Sequence, residues 1–135
     1  MNAAALTAFF EQAFPGGGSD RTGRIDLVAP GHVRMVMEPH GDMLRPGGIV
    51  AGPVQMGLAD RAAYAVILAH IGPVAMAVTS NLNYSFLRAV EQRTVKCDAV
   101  LLKLGKLLAT VDCRLWQDSP EQILGQATVT YAIPA

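Results

Sequence analysis

The stretch GPVQMGLADRAAYAVILAH, Gly52 to His70, constrains this chain more than any other. Val54, Leu58, Ala59, Ala62, Ala63, Val66, Ile67 and Ala69 recur at helical spacing. They cover most of the circumference rather than one stripe. A helix of about eighteen residues is roughly 27 Å long. One that is apolar nearly all round has to be enclosed, and a curved sheet wrapped around it does so. Pro53 suits the first helical position, where its missing N–H is no loss. Gly72-Pro73 stops the helix near His70. Gly57 costs about 1 kcal/mol relative to alanine and predicts close approach by a strand or a second helix. Halfway along stands Asp60. A carboxylate in such a helix needs either a partner, such as Arg61 or a sheet residue, or a chemical task.

The remaining segments supply the sheet. AAALTAFFEQAF carries Leu6, Phe9, Phe10 and Phe14 at helical spacing, ended by Pro15 and the Gly16–Gly18 run. GRIDLVAPGHVRMVMEPH reads as two strands around Pro30-Gly31. GDMLRPGGIVAG reads as a loop. Four strands follow the long helix: AMAVTSNLNYSFLRA, TVKCDAVLLKL, LLATVDCRLWQ and ILGQATVTYAI. Leu104-Gly105-Lys106 predicts a hairpin turn, and QDSPEQ a second turn. The order is helix, two strands, one long helix, four strands. This is an α+β layout with an antiparallel sheet, one domain over residues 1–135.

Composition narrows the function classes. Formal net charge is +0, which argues against nucleic acid or an acidic membrane as partner. The chain is 51% hydrophobic and only 16% charged, a lean polar surface that predicts burial in an oligomer. No apolar run reaches membrane-span length, and no signal peptide is visible. Two cysteines, Cys97 and Cys113, make no disulfide framework; reduced core thiols in a cytoplasmic protein are expected. Whether the two face each other depends on the length of the Gly105 turn. His40 and His70 have no second ligand at metal spacing, so no metal is expected.

The run GGIVAGPVQMGLADRAAY followed by AVTSNLNYSFLRA resembles the hotdog-fold acyl-CoA thioesterases of the phenylacetate-catabolism type. Those proteins carry a His-Gly-Gly turn, a helix with Leu-Ala-Asp, and a strand of the form Asn-x-x-Phe-Leu-Arg-Pro. Here Leu58, Ala59 and Asp60 match the helix. Asn83, Phe86, Leu87 and Arg88 match the strand, with Ala89 in place of proline. The resemblance spans about Leu44 to Pro134. It implies the hotdog fold, an antiparallel curved sheet wrapped around one long central helix.

It also implies hydrolysis of an acyl-CoA thioester without a cofactor, in a homodimer that pairs again as a dimer of dimers. By position, Asp60 is the catalytic carboxylate, as nucleophile or general base. The Gly52 N–H is the oxyanion donor, suited to the positive end of a helix. About 12 Å of helix separates the two, so in the family they meet across a subunit interface. The family's histidine is Ala51 here, and its second glycine is Pro53. Pro46-Gly47-Gly48 is an alternative binding turn, with Arg45 beside it to hold a phosphate or the carbonyl and Gly48 close to substrate. Thr79 and Asn81, on one strand face with Asn83 and Ser85, orient water or the carboxylate, or else form an interface row. Tyr64, one turn past Asp60, lines the acyl pocket, orients Asp60 or packs in the core. Arg88, Arg93, Lys103 and Lys106 are candidates for the coenzyme A phosphates. A non-catalytic acyl-CoA binder and a hotdog hydratase or dehydratase, with His40 as its loop histidine, are the competing readings.

Overall fold

The computed structural model describes residues 1–15 and 21–135; the Gly16–Gly18 stop lies outside them. Helix α1 (Ala3–Ala13) is capped by the Asn2 side chain, which accepts from the Ala5 N–H at 2.9 Å. Strands β1 (Arg24–Ala29) and β2 (His32–Met37) form the expected hairpin around Gly31. The segment read as a loop holds more: a 3-10 turn (Gly41–Met43) and two short paired strands, β3 (Leu44–Arg45) and β4 (Ile49–Val50). Pro46-Gly47 makes their turn. The Gly48 N–H donates to the Arg45 carbonyl at 3.1 Å, and Gly47 takes φ +101°, which an L side chain rarely adopts.

The long helix α2 runs Gly52–Ile71, one residue past the expected end. Gly52, not Pro53, is its first residue, because Ala51 is already extended at ψ 148°. Strands β5 (Val78–Phe86), β6 (Val95–Leu104), β7 (Leu108–Trp116) and β8 (Gly125–Ala132) follow. All large strands join one antiparallel sheet ordered β1-β2-β6-β7-β8-β5. The helix packs on β6, β7, β2, β8 and β5. The run from Ala62 to Leu68 is buried without interruption, which is about two turns of helix facing every direction. That is the enclosed helix the apolar pattern demands. Among the described residues, no helix is long and apolar enough to cross a membrane.

Two local expectations, for Gly57 and for Thr79 with Asn81, are corrected, and the placement of the cysteines, left open by the sequence, is settled. Gly57 does not admit a strand; a Cβ there would stand 3.1 Å from Nη1 of Arg61, which folds back over the helix so that its Nε donates to the Thr22 carbonyl. Arg61 therefore does not pair with Asp60. Cys97 faces Leu115, and Cys113 faces Ala99, so the two thiols are diagonal neighbours on the inner face. Both are free. The adjacent Cys97 thiol, then burial, pushes the Cys113 thiol well above the ordinary range, so it stays protonated and donates to the Ala59 carbonyl at 3.4 Å. Thr79 and Asn81 do not share a face. The pairing register shifts between them, setting Thr79 opposite the inward Tyr131 and Asn81 opposite Thr130. One extra residue, Ser80, reverses the alternation.

The outer face carries a compact polar knot. Asp98 accepts from Nε2 of His32 (2.6 Å), Nε of Arg34 (2.8 Å) and Nε1 of Trp116 (2.6 Å). Burial alone would raise its carboxyl. The three hydrogen bonds outweigh it and hold the group below the usual carboxylate range. A depressed folded-state value contributes stability above the unfolded value of about 4, and that stability is lost as pH falls through the folded-state value. Asp98→Asn should cost about 1–3 kcal/mol at pH 7. Urea unfolding of both proteins should show the gap closing in acid; a gap independent of pH would refute this account.

Candidate active site: a carboxylate groove and an amide cleft

Asp60 lies in the middle of α2 and borders an open groove of about 600 Å³, lined also by Ala13, Phe14, Tyr64, Ala75, Ala77, Val78, Thr79 and Tyr131. Its Oδ1 accepts from the Thr79 hydroxyl at 2.6 Å and from the Tyr131 hydroxyl at 2.9 Å. The same Tyr131 proton also lies 3.1 Å, oxygen to oxygen, from the Asp60 carbonyl. Among the described residues, Oδ2 has no hydrogen-bond partner. One carboxylate oxygen is thus pinned and the other is left for chemistry. Burial, together with the Asp60 charge, raises the Tyr131 phenol far above its ordinary value; it remains a donor throughout the neutral range.

Thr79 reaches Asp60 only because of the bulge at Ser80. Asn81 stays on the outer face, away from the carboxylate. Tyr64 lines the groove, but its hydroxyl donates to the Ala75 carbonyl at 3.0 Å. Its ring stacks on Tyr131 at 5.7 Å. The phenol that orients Asp60 is Tyr131, which the sequence reading missed. Its signal was present: Ala127, Val129 and Tyr131 alternate as an inward row, and a buried tyrosine hydroxyl needs an acceptor.

The second half of the site is a cleft of about 420 Å³ at the start of α2, lined by Arg45, Ile49, Val50, Gly52, Gln55, Phe86, Leu87, Arg88 and Ala89. The N–H groups of Val54 and Gln55 both turn back to the Ala51 carbonyl, at 3.1 and 3.3 Å, and Pro53 has none. Among the described residues the Gly52 N–H has no acceptor, so it is the first-turn donor left open, at the positive end of a 20-residue helix. A Cβ at residue 52 would stand 3.1 Å from Cζ of Phe86; only glycine leaves the approach clear.

Gln55, also missed from sequence, fixes this turn. It is 5% exposed, donates to the Val50 carbonyl at 3.2 Å and accepts from the Tyr84 hydroxyl at 2.9 Å. Gly125 makes room for that hydroxyl, since a Cβ there would fall 2.0 Å from it.

Of the basic residues, Arg45 and Arg88 border the Gly52 cleft. Arg93 is held elsewhere: it forms a two-pronged pair with Asp118 at 2.7 and 2.9 Å, and bonds Glu91 at 2.8 Å. Lys103 and Lys106 lie at the β6–β7 turn, the end of the sheet opposite Phe86. Gly48 lies in the β3–β4 turn and does not line the cleft. His70 joins the Gly31 N–H and the Val66 carbonyl through its two ring nitrogens. Among the described residues, no three His, Cys, Asp or Glu side chains converge as a metal site would require.

A carboxylate in a groove, an open amide in a cleft and a sheet wrapped around one helix invite comparison with known proteins. The family model for the thioesterase superfamily matches residues 47–124, more than half of the chain. The chain belongs to the thioesterase superfamily. The matched span includes both Gly52 and Asp60. A candidate thioesterase from Silicibacter sp. TM1040 is 38% identical, with 100% of this chain and 93% of that one covered and a TM-score of 0.90. Thioesterase superfamily member 2 from zebrafish shares the fold at 20% identity, covering 99% of each chain with a TM-score of 0.85. A phenylacetic acid degradation-related protein from Ralstonia eutropha JMP134, itself a candidate thioesterase, is 24% identical over 93% of this chain and 98% of that one, with a TM-score of 0.78. No curated protein matches the chain. These superfamily members confirm the hotdog architecture expected from Leu58-Ala59-Asp60 and the Phe86-Leu87-Arg88 strand.

Proposed function

We propose that this superfamily member hydrolyses an acyl-CoA thioester to the free acid and coenzyme A, in a homodimer whose active sites each combine Asp60 of one protomer with Gly52 of the other. The half-pinned Asp60 carboxylate carries this reading. As general base, Oδ2 takes a proton from water while the water oxygen bonds the thioester carbonyl carbon. The Gly52 N–H stabilises the oxyanion. The C–S bond then breaks, and the proton passes from Asp60 to the leaving thiolate. Direct attack by Oδ2, followed by hydrolysis of the anhydride, uses the same atom. No metal or other cofactor enters either route.

Strand β5 supports the shared site. Gly52 packs against Phe86 at one end of β5, and Asp60 bonds Thr79 near the other. Seven residues of strand, about 23 Å, separate the two markers. β5 is the sheet's edge, with Phe86 and Leu87 55% and 53% exposed. Antiparallel pairing of β5 with its own copy, centred between Leu82 and Asn83, sets Thr79 opposite the partner's Phe86. The carboxylate groove then faces the amide cleft, and an exposed edge is covered. A further pairing of dimers fits the 51% hydrophobic composition. Arg45 and Arg88 border the cleft where the coenzyme A phosphates would lie; Lys103 is separated from the β5 edge by β7 and β8, so it and Lys106 are weaker candidates.

The deciding measurement is thiol release from aryl, short-chain and long-chain acyl-CoAs; no release from any of them would favour a binder that Ala51, in place of the family's histidine, has silenced. Among the described residues no histidine lines groove or cleft, which disfavours the hydratase reading. Thr79→Val and Tyr131→Phe each remove one hydrogen bond to Oδ1. Each should lower kcat about tenfold and leave KM nearly unchanged. A fall carried by KM alone would mean that these hydroxyls bind substrate instead.

A further inference from the structure

We propose that Phe14 sets the acyl-chain limit of this enzyme: the groove beside Asp60 holds the acyl part of the substrate, and the Phe14 ring is the wall at which its chain ends. The proposal rests on the thioesterase reading above for the identity of the ligand. Charge decides which end of the substrate enters the groove. The arginines of the site, Arg45 and Arg88, border the Gly52 cleft, whereas among the described residues no lysine or arginine lines the groove. Phosphates are drawn to the first and repelled by Asp60 in the second. Hydrocarbon suits the groove, because Phe14, Ala75, Ala77 and Val78 line it and both tyrosine hydroxyls there are already occupied.

Beyond Phe14 lies a second, narrow cleft of about 30 Å³ between α1 and β1, walled by Phe10, Thr22, Gly23 and Ile25 among others. Phe14 is the residue that both cavities share. It is held firmly. Its N–H donates to the Phe10 carbonyl at 2.9 Å as the cap of α1. Its ring meets Phe10 edge-on at 5.4 Å and Tyr64 edge-on at 6.2 Å. Tyr64 is one helical turn, about 6 Å, beyond Asp60, and Phe14 is the next ring outward. A compact or medium-length acyl group fills that distance. A long fatty chain meets the ring, and removing the ring joins the groove to the cleft.

The test measures binding by calorimetry with non-hydrolysable S-butyl, S-octyl and S-dodecyl thioethers of coenzyme A. Wild-type affinity should rise from butyl to octyl and gain nothing further at dodecyl. In Phe14→Ala, the dodecyl-to-butyl affinity ratio should rise about tenfold or more, with butyl affinity nearly constant. Phe14→Leu should shift the ratio in the same direction by less, and it stands in if the alanine variant fails to fold. An unchanged ratio in a variant that still binds the butyl compound overturns the proposal. So does a wild-type affinity that climbs steadily to dodecyl, or no binding of any thioether. Because these probes report binding, a protein that binds them as described but releases no thiol from acyl-CoAs refutes the hydrolase reading and leaves the wall at Phe14 standing.

Discussion

Replacing Asp60 by asparagine is expected to lower kcat for acyl-CoA hydrolysis by about 10³-fold, while thioether binding changes little. The amide keeps the shape of the carboxylate and can still accept from Thr79 and Tyr131 through its oxygen. What it loses is the lone pair on Oδ2 that, in the proposed mechanism, takes the proton or attacks the carbonyl carbon. Because Oδ1 already receives both hydroxyl protons, the amide nitrogen falls naturally at the Oδ2 position. The fold should therefore survive, and a melting temperature within a few degrees of wild type is the control. Equal thiol release by Asp60→Asn and wild type would remove Asp60 from the mechanism and return it to a structural role bridging α2 to β5 and β8.

Mixing two inactive variants should restore activity. Gly52→Val crowds the Phe86 ring, already 3.1 Å from a Cβ at this position, and blocks approach to the open N–H. On its own it should be as inactive as Asp60→Asn. A dimer with one subunit of each kind has one site with both defects and one with neither, because a twofold axis exchanges the contributing surfaces. Random reassociation makes half the dimers mixed, so about one quarter of wild-type activity should return. Sites built within single protomers would return none. The outcome distinguishes a shared site from a self-contained one irrespective of the acyl group used.

The legible part of the fold was whatever depends on periodicity. An apolar pattern covering all sides of Gly52–His70 announced an enclosed helix, and alternation announced the strands around it. The two-residue strands β3 and β4 escaped notice because a glycine-rich stretch pairs through its backbone, which leaves no side-chain rhythm. The register slip at Ser80 escaped for a related reason. A bulge is a relation between β5 and β8, and nothing within SNLNYSF marks it. That one slip transfers Thr79 to the carboxylate and leaves Asn81 outside. Tyr131 lies 71 residues from Asp60, and Gln55 lies 5 residues from the Val50 carbonyl it bonds; the first is a contact only folding can make. The second was within reach of inspection, as a lone amide in an apolar first turn.

By itself, the sequence determined the enclosed central helix and the antiparallel sheet around it, because spacing along a single element is written in the chain; its resemblance to the hotdog thioesterases supplied the fold class and pointed to Asp60 and Gly52. Tertiary structure alone decided which hydroxyls grip Asp60, that Arg93 is engaged by Asp118, and that Phe14 divides two cavities. Each of these is a distance between elements far apart in sequence, set when the sheet closes on the helix and side chains compete for the same partners.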